Sequence, residues 1–420
     1  AFAARRGVRG NCGKRNILTA FIVPSSQIAL SDLPPAICTS EPGSFARYTL
    51  TDRVPGILRE TAALNDFPDE IQRALEDLHA ELTGGVVREV REDAPDRGFW
   101  NAVSAPHLGR SWLDVPWYWG EAYFYRRLLE ATRYFQPGPW RSVDPFGPKK
   151  ATELVPEAAP DAAKALLDLL PEEPKARFEM LVHASLWGNR SDLSYEVAAR
   201  LGRPTGAREE RTNLLADDTL ALWDFLQTTR CRRLAVLADN AGTELLMDLL
   251  LVDCLLGEGL ATEVHLHLKP HPFFVSDAML RDVFAGLEAL EGSGEAARAL
   301  ARRLWATLAS GRLRLFTHWH YGTSLFYFQL PEDLRAILSG MDLVVVKGDA
   351  NYRRLLGDAH WPPTTSFAQA TGYFPAPLVA LRTLKAEIIV GLRPGEMEWL
   401  QAEDPAWLVN GKRGLVQARI

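Results

Sequence analysis

From about Asn213 onward, short apolar runs rich in Val, Ile and Leu alternate with amphipathic stretches. The runs fall at 234–238, 264–268, 313–316, 343–346 and 388–390. Between them, residues 243–256, 296–310 and 331–339 carry apolar side chains at three- and four-residue steps, the spacing of one helix face. A strand that is apolar throughout has both faces covered, and helices between such strands are the crossovers of a parallel sheet. The second half therefore predicts a Rossmann-like parallel-sheet α/β/α layer over residues 206–420. In open sheets of this kind ligands bind beyond the carboxyl ends of the strands, so the polar residues just past each run are the candidates for function.

Ahead of that layer, residues 41–205 read as an all-helical region. Residues 57–64, 70–82, 121–133, 160–170 and 175–187 have helical periodicity, punctuated by Pro-Gly stretches at 136–139 and 144–148. Trp112, Trp117 and Trp119 cluster ahead of the third of these helices, as core packing or as part of a pocket wall. Residues 1–40 form a leader: residues 1–31 hold Arg5, Arg6, Arg9, Lys14 and Arg15 and no acid, the first being Asp32. Such a leader is expected to be a transit peptide or a poorly ordered tail, making the protein organellar in the first case and cytoplasmic in the second.

The formal net charge of −6 argues against a general nucleic-acid binder, which presents a basic face. No apolar run reaches the roughly 18–20 uncharged residues of a membrane helix, so a soluble protein is expected. Cys12, Cys38, Cys231 and Cys254 contain no C-x-x-C pair, which points to reduced thiols rather than a thiolate metal site.

The run at 234–238 leads into Asp239-Asn240-Ala241-Gly242-Thr243-Glu244. A carboxylate and a carboxamide at a strand tip offer hard oxygen ligands for Mg or Mn, or else a cap for the helix that follows. The amides at that helix start can hold an anion such as phosphate, and Glu244 lies in the first turn. Past the next run, Asp277 is a second carboxylate that can reach the same metal or cap its own helix. His265 and His267 share one strand face and read as core or edge histidines. The run at 343–346 continues into Lys347-Gly348-Asp349-Ala350-Asn351-Tyr352-Arg353, a candidate anion cradle or an ordinary solvated loop. Arg382 and Lys385 add cations near the sheet edge, so an acidic chain gathers positive charge where ligands bind, as a phosphorylated small molecule requires. No phosphate loop of the G-x-x-x-x-G-K-[ST] type, dinucleotide fingerprint or G-x-S-x-G elbow occurs, and Ala241 stands where a D-x-D phosphatase would have its second acid.

Taken together these segments resemble the damage-control phosphatases, once catalogued as domain of unknown function eighty-nine. The Arg382-Thr383-Leu384-Lys385 segment is similar to the Arg-Thr-x-Lys motif of the sugar-phosphate phosphatase subgroup, which includes acidic residue methyltransferase-like proteins. Gly43-Ser44-Phe45, Thr51-Asp52-Arg53-Val54-Pro55, Tyr123-Phe124-Tyr125-Arg126-Arg127 and the stretch 186–194 are similar to it as well, over roughly residues 41–395. The resemblance implies a divalent metal such as Mn, Co, Ni or Mg held by Asp239, Asn240 and Asp277, which would also be the catalytic residues. It implies a pocket lined by Glu244, with Asp349, Asn351, Tyr352, Arg353 and Lys385 binding substrate and Lys347 supporting the phosphate. The implied reaction is hydrolysis of sugar phosphates such as fructose-1-phosphate. Two other readings compete. S-adenosylmethionine-dependent methylation of protein glutamates lacks a glycine-rich cofactor loop here. A non-catalytic sugar-phosphate binder has no use for an acid–amide–acid set.

Overall fold

The computed structural model describes residues 33–155, 158–188 and 212–420. The basic leader, the end of the 186–194 motif and the boundary expected near 205 lie outside those residues. Residues 33–40, grouped with the leader on sequence grounds, pack into the body. Ile37 is buried, its N–H donates to Asp358 O at 2.9 Å, and its carbonyl accepts from Trp117 N at 2.8 Å.

Among the described residues seven strands form one sheet in the order β1-β7-β6-β5-β2-β3-β4. They are β1 (Leu214–Asp217), β2 (Cys231–Leu237), β3 (Ala261–Leu268), β4 (Leu313–Thr317), β5 (Leu343–Lys347), β6 (Leu378–Thr383) and β7 (Gly414–Arg419). The five strands from β6 to β4 are mutually parallel, whereas β7 is antiparallel to β6 and β1 is parallel to β7. Within the parallel block the chain enters at β2, builds outward through β3 and β4, and then returns to add β5 and β6 on the other side of β2. The strand order reverses between β2 and β5, which is where such sheets bind ligands.

One expected strand is misplaced. Ile388, Ile389 and Val390 are buried but lie in irregular backbone, and the fifth parallel strand is Leu378–Thr383. Apolarity alone cannot separate a strand from a buried loop. Here the carbonyls of Ile388 and Val390 are taken by the Arg382 and Gln417 side chains instead of by a ladder. The strands β1 and β7 are not among the runs expected from sequence.

Alternate residues of the central strands face two different cores, as the two-residue period of a strand demands. Ala235, Leu237, Val344 and Val346 pack against the aromatic-rich helices Val54–Leu64, Asp69–Gly84 and Trp117–Ala131. Leu234, Val236, Val345 and Leu381 pack against Ala159–Leu169, Pro174–Trp187 and Thr243–Gly257. The helices ahead of residue 188 thus share both cores with the sheet. Trp112, Trp117 and Trp119 are all buried. Among the described residues no helix is long and apolar enough to cross a membrane.

Candidate active site

A cavity of about 750 Å³ opens at the β2–β5 switch point, within the range typical of small-molecule sites. Its floor comes from the segments after β2 and β3. Asn240 and Asp277 form an isolated antiparallel bridge, fastened by Ala241 N donating to Ser276 O (2.7 Å) and Ala278 N to Asp239 O (2.8 Å). Residues far apart in sequence are thereby fixed side by side.

Asp239 is buried, and its Oδ1 has no hydrogen-bond partner. Its other oxygen accepts from Asn240 Nδ2 at 3.2 Å. Burial pushes the Asp239 carboxyl well above the usual carboxylate range, and the nearby charges of Glu244, Asp277 and Asp349 add to this while Lys269 opposes it. A carboxylate held in a field of carboxylates with one oxygen idle is a site short of positive charge. Gly348 lets it sit there: its φ is +79°, and a Cβ would lie 1.8 Å from Asp239 Oδ2. Asn240 is oriented from both ends, since Nδ2 donates to Glu244 Oε2 (2.9 Å) and Oδ1 accepts from Ser276 Oγ (2.7 Å). Asp277 is buried, accepts from Phe274 N at 3.0 Å and pairs with Lys269 Nζ at 3.3 Å. Two carboxylates and a carboxamide are the hard donors that Mg or Mn prefers, so the residues fit a divalent cation. Among the described residues no three of His, Cys, Asp and Glu gather as a ligand group, and His265 and His267 are buried on β3.

The other sequence candidates divide. Glu244, Asp349, Arg353 and Lys385 line the same cavity as Asp239, Asn240 and Asp277, whereas Lys347, Asn351 and Tyr352 lie behind its wall. The Gly348–Leu356 helix explains part of this: Asp349, Ala350 and Arg353 share the cavity face, and Asn351 and Tyr352 point inward. Asn351 Nδ2 donates to Lys347 O (2.8 Å) and Ala238 O (3.1 Å), clamping β2 to the start of that helix. Tyr352 OH donates to Gln417 Oε1 at 2.9 Å. Lys347 Nζ is buried between Glu244 (3.2 Å), Asp248 (2.8 Å) and Ser185 Oγ (2.8 Å). Burial works against its charge, but Asp248 and Glu244 more than offset that and raise its pKa.

Arg353 lines the cavity with its guanidinium committed elsewhere. It pairs with Glu121 at 2.7 Å and Asp358 at 2.8 Å and lies 3.7 Å from the Trp117 ring centroid. Arg382 is tied to Asp349 at 2.7 Å, and the same carboxylate accepts from Lys385 N at 3.1 Å. Burial pulls the Lys385 ammonium below its usual pKa against the attraction of Glu244, Asp349 and Asp239. Those carboxylates are therefore close enough to act on it.

Several contributors escaped the sequence reading. Lys150 reaches Asp277 O (2.7 Å), Asp144 (3.0 Å) and Asp282 (3.1 Å), fastening the helical layer to the loop that carries Asp277. Lys269 directly follows β3 and could have been noticed as a counter-ion for Asp277. Glu153 comes from a turn with no periodic signal. Its Oε2 accepts from Thr243 N at 3.1 Å, so the helix start expected to seat a phosphate carries a carboxylate of the chain itself.

An acid–amide–acid set thus lies at the switch point, on a cavity that Lys385 and Arg353 also line. The comparisons narrow the class: this chain belongs to the damage-control phosphatase family with the ARMT1-like domain, whose profile matches residues 49–400. It is 32% identical to the mouse damage-control phosphatase ARMT1, over 92% of this chain and 99% of that protein. Identity to the human protein of the same name is 31%, over 92% and 98% respectively. Among solved structures, a DUF89 family protein from Pyrococcus horikoshii aligns with a TM-score of 0.48 and 14% identity, covering 89% of this chain and 98% of that one.

Proposed function

We propose that the protein is a metal-dependent phosphomonoesterase acting on sugar phosphates of the fructose-1-phosphate type or related reactive phosphometabolites. The observation that carries the proposal is Asp239: a buried carboxylate with an idle oxygen, surrounded by other carboxylates, at the ligand-binding end of the sheet. Relatives named as damage-control phosphatases over nearly their whole length support the same reading.

Asp239, Asn240 and Asp277 would hold the cation, Mn, Co, Ni or Mg. When bound, it supplies a Lewis acid that offsets charge on the phosphoryl oxygens. Glu244 and Ser276 fix the Asn240 carboxamide, so no ligand reorganisation is needed as charge develops. The Lys385 ammonium, close to the acidic floor, attracts the dianionic group and balances part of its charge. In the overall reaction the ester P–O bond breaks and water supplies the new P–O bond. The proton that water releases ends on the sugar hydroxyl. Trp117 and Tyr125 wall the cavity on the helical side.

The test is phosphate release from a panel of sugar phosphates with Mg, Mn, Co and Ni, run beside Asp239→Ala. Metal-dependent release that vanishes in the variant is expected. Undiminished turnover by Asp239→Ala would sink the assignment.

A further inference from the structure

We propose that Arg53 is the anion clamp of the helical layer, a specificity-determining residue that grips the substrate's phosphate from the side of the cavity opposite the Asp239 floor. The inference rests on the phosphatase reading and adds a residue to it.

The backbone places Arg53 unusually. Thr49–Arg53 is a π-helical turn in which Val54 N–H reaches back five residues to Thr49 O, and Pro55 follows without an N–H to donate. Single π turns inside helices are frequent at functional sites, because the extra residue re-aims the side chains around it. Arg53 then leads the stripe Arg53, Gly56, Ile57 and Glu60, all of which line the cavity. Steps of three, four and seven mark one face of the Val54–Leu64 helix, so this face is the cavity wall.

The charge placement is equally specific. At the far end of the stripe Glu60 is paired with Lys149 at 2.6 Å. Arg353, which also lines the cavity, is spent on Glu121 and Asp358, and Arg382 is spent on Asp349. Among the described residues the Arg53 guanidinium makes no ion pair and no hydrogen bond. The guanidinium lies over the Phe45 ring, 5.4 Å from its centroid. It is exposed to solvent, and its charge is felt by both Lys385 and Tyr125. An arginine facing a cavity with all five donors unspent, near a lysine on the same cavity, fits a dianionic phosphate: the planar fork takes two oxygens at once while the ammonium takes a third as a point charge. Gly56 beside it leaves room, since a Cβ there would meet nothing within 4 Å.

The experiment compares the full chain with Arg53→Ala, Arg53→Lys and Arg53→Gln. Titration calorimetry reads inorganic phosphate binding in the presence of Mn, and electron paramagnetic resonance reads Mn binding alone. Phosphate affinity should fall about ten- to a hundredfold in the alanine and glutamine variants and by less in the lysine variant. Mn affinity and the thermal midpoint should stay at the wild-type values. With fructose-1-phosphate, KM should rise more than kcat falls. Wild-type phosphate affinity in either the alanine or the glutamine variant overturns the proposal. So does an equal loss of Mn affinity and phosphate affinity, which would mark a structural role. If the wild type binds phosphate through Arg53 yet releases none from any phosphomonoester with any of the four metals, the phosphatase reading fails and the clamp stands.

Discussion

Two buried clusters of charge lie within one helical turn of each other and are built on opposite principles. Around Lys347, the ammonium contacts Glu244, Asp248 and Ser185, and Ser185 Oγ also donates to Asp248 at 2.6 Å. Around Asp239, carboxylates crowd one another and one oxygen has no partner. Glu244 belongs to both, pairing with Lys347 through one oxygen and orienting Asn240 through the other. Buried charges persist when they are paired, and an unpaired one costs stability unless something outside the chain completes it. Asp248 Oδ2 also lacks a hydrogen-bond partner, but its carboxylate is paired with a cation through Oδ1, so the cation-centred cluster is the foundation and the carboxylate-crowded one is where chemistry is expected. Arg353 extends the foundation, bridging Glu121 of the helical layer and Asp358 of the sheet layer.

The two clusters should differ most when Asp239 is changed. Asp239→Asn should lower metal-dependent phosphate release by about 10³-fold or more, the loss of several kcal/mol of charge stabilisation. With metal removed by a chelator, the same variant should unfold at a higher temperature than the wild type, because it relieves carboxylate repulsion. Differential scanning calorimetry with and without chelator checks this, and a lowered midpoint in both conditions would show that Asp239 is structural. Lys347→Met should do the reverse. It leaves Glu244 and Asp248 buried without their cation, and it should cost roughly 3–5 kcal/mol in urea unfolding. Adding Asp248→Leu should recover part of that loss, since neighbouring charges are not additive. A single variant as stable as the wild type would mean that Lys347 is not the foundation.

Sequence legibility follows the same division. The parallel strands were readable because a strand covered on both faces must be apolar throughout, and Leu343–Lys347 is buried at every position. Leu378–Thr383 was missed because it ends in Arg382 and Thr383, polar residues whose needs are met by Asp349 and by the Leu186 carbonyl. Asp239, Asn240 and Asp277 were readable because strand ends are ligand positions in such sheets. Lys347, Asn351 and Tyr352 were grouped with the cavity because a contiguous motif does not say which way each side chain points. Helical geometry sorts part of that motif, with Asp349 and Arg353 four residues apart on the open face. Lys150 and Glu153 have no route from sequence, and Arg53 stands in a segment similar to the family without a role read for it, since all three reach the site only when the helical layer docks.

A third group of buried side chains responds to pH. His267, His271 and His320 are buried, and each keeps at least one ring nitrogen without a partner. Burial lowers the pKa of all three; for His267, with help from the charges of His265 and His318, it is pushed down to about 3. A histidine held neutral in the fold takes a proton more readily once unfolded, so stability drops as pH falls through the unfolded value of about 6.5. For His267 alone the loss between pH 7 and pH 6 is about 0.7 kcal/mol, and it grows at lower pH. Asp239 has the opposite sign: its carboxyl titrates above the unfolded value, so its cost to the fold appears as pH rises past about 4 and eases as pH falls. Unfolding midpoints of wild type and His267→Gln from pH 7 to pH 5, with metal chelated, separate the two effects. The variant should lose less stability than the wild type over that range, because glutamine takes no proton when the chain unfolds. Parallel curves would mean that His267 takes up its proton in the native state over the same pH range as in the unfolded chain. A proton there would have to sit beside the Tyr321 hydroxyl, 2.8 Å from Nδ1, in a pocket whose nearest titratable neighbours, His265 and His318, only repel it.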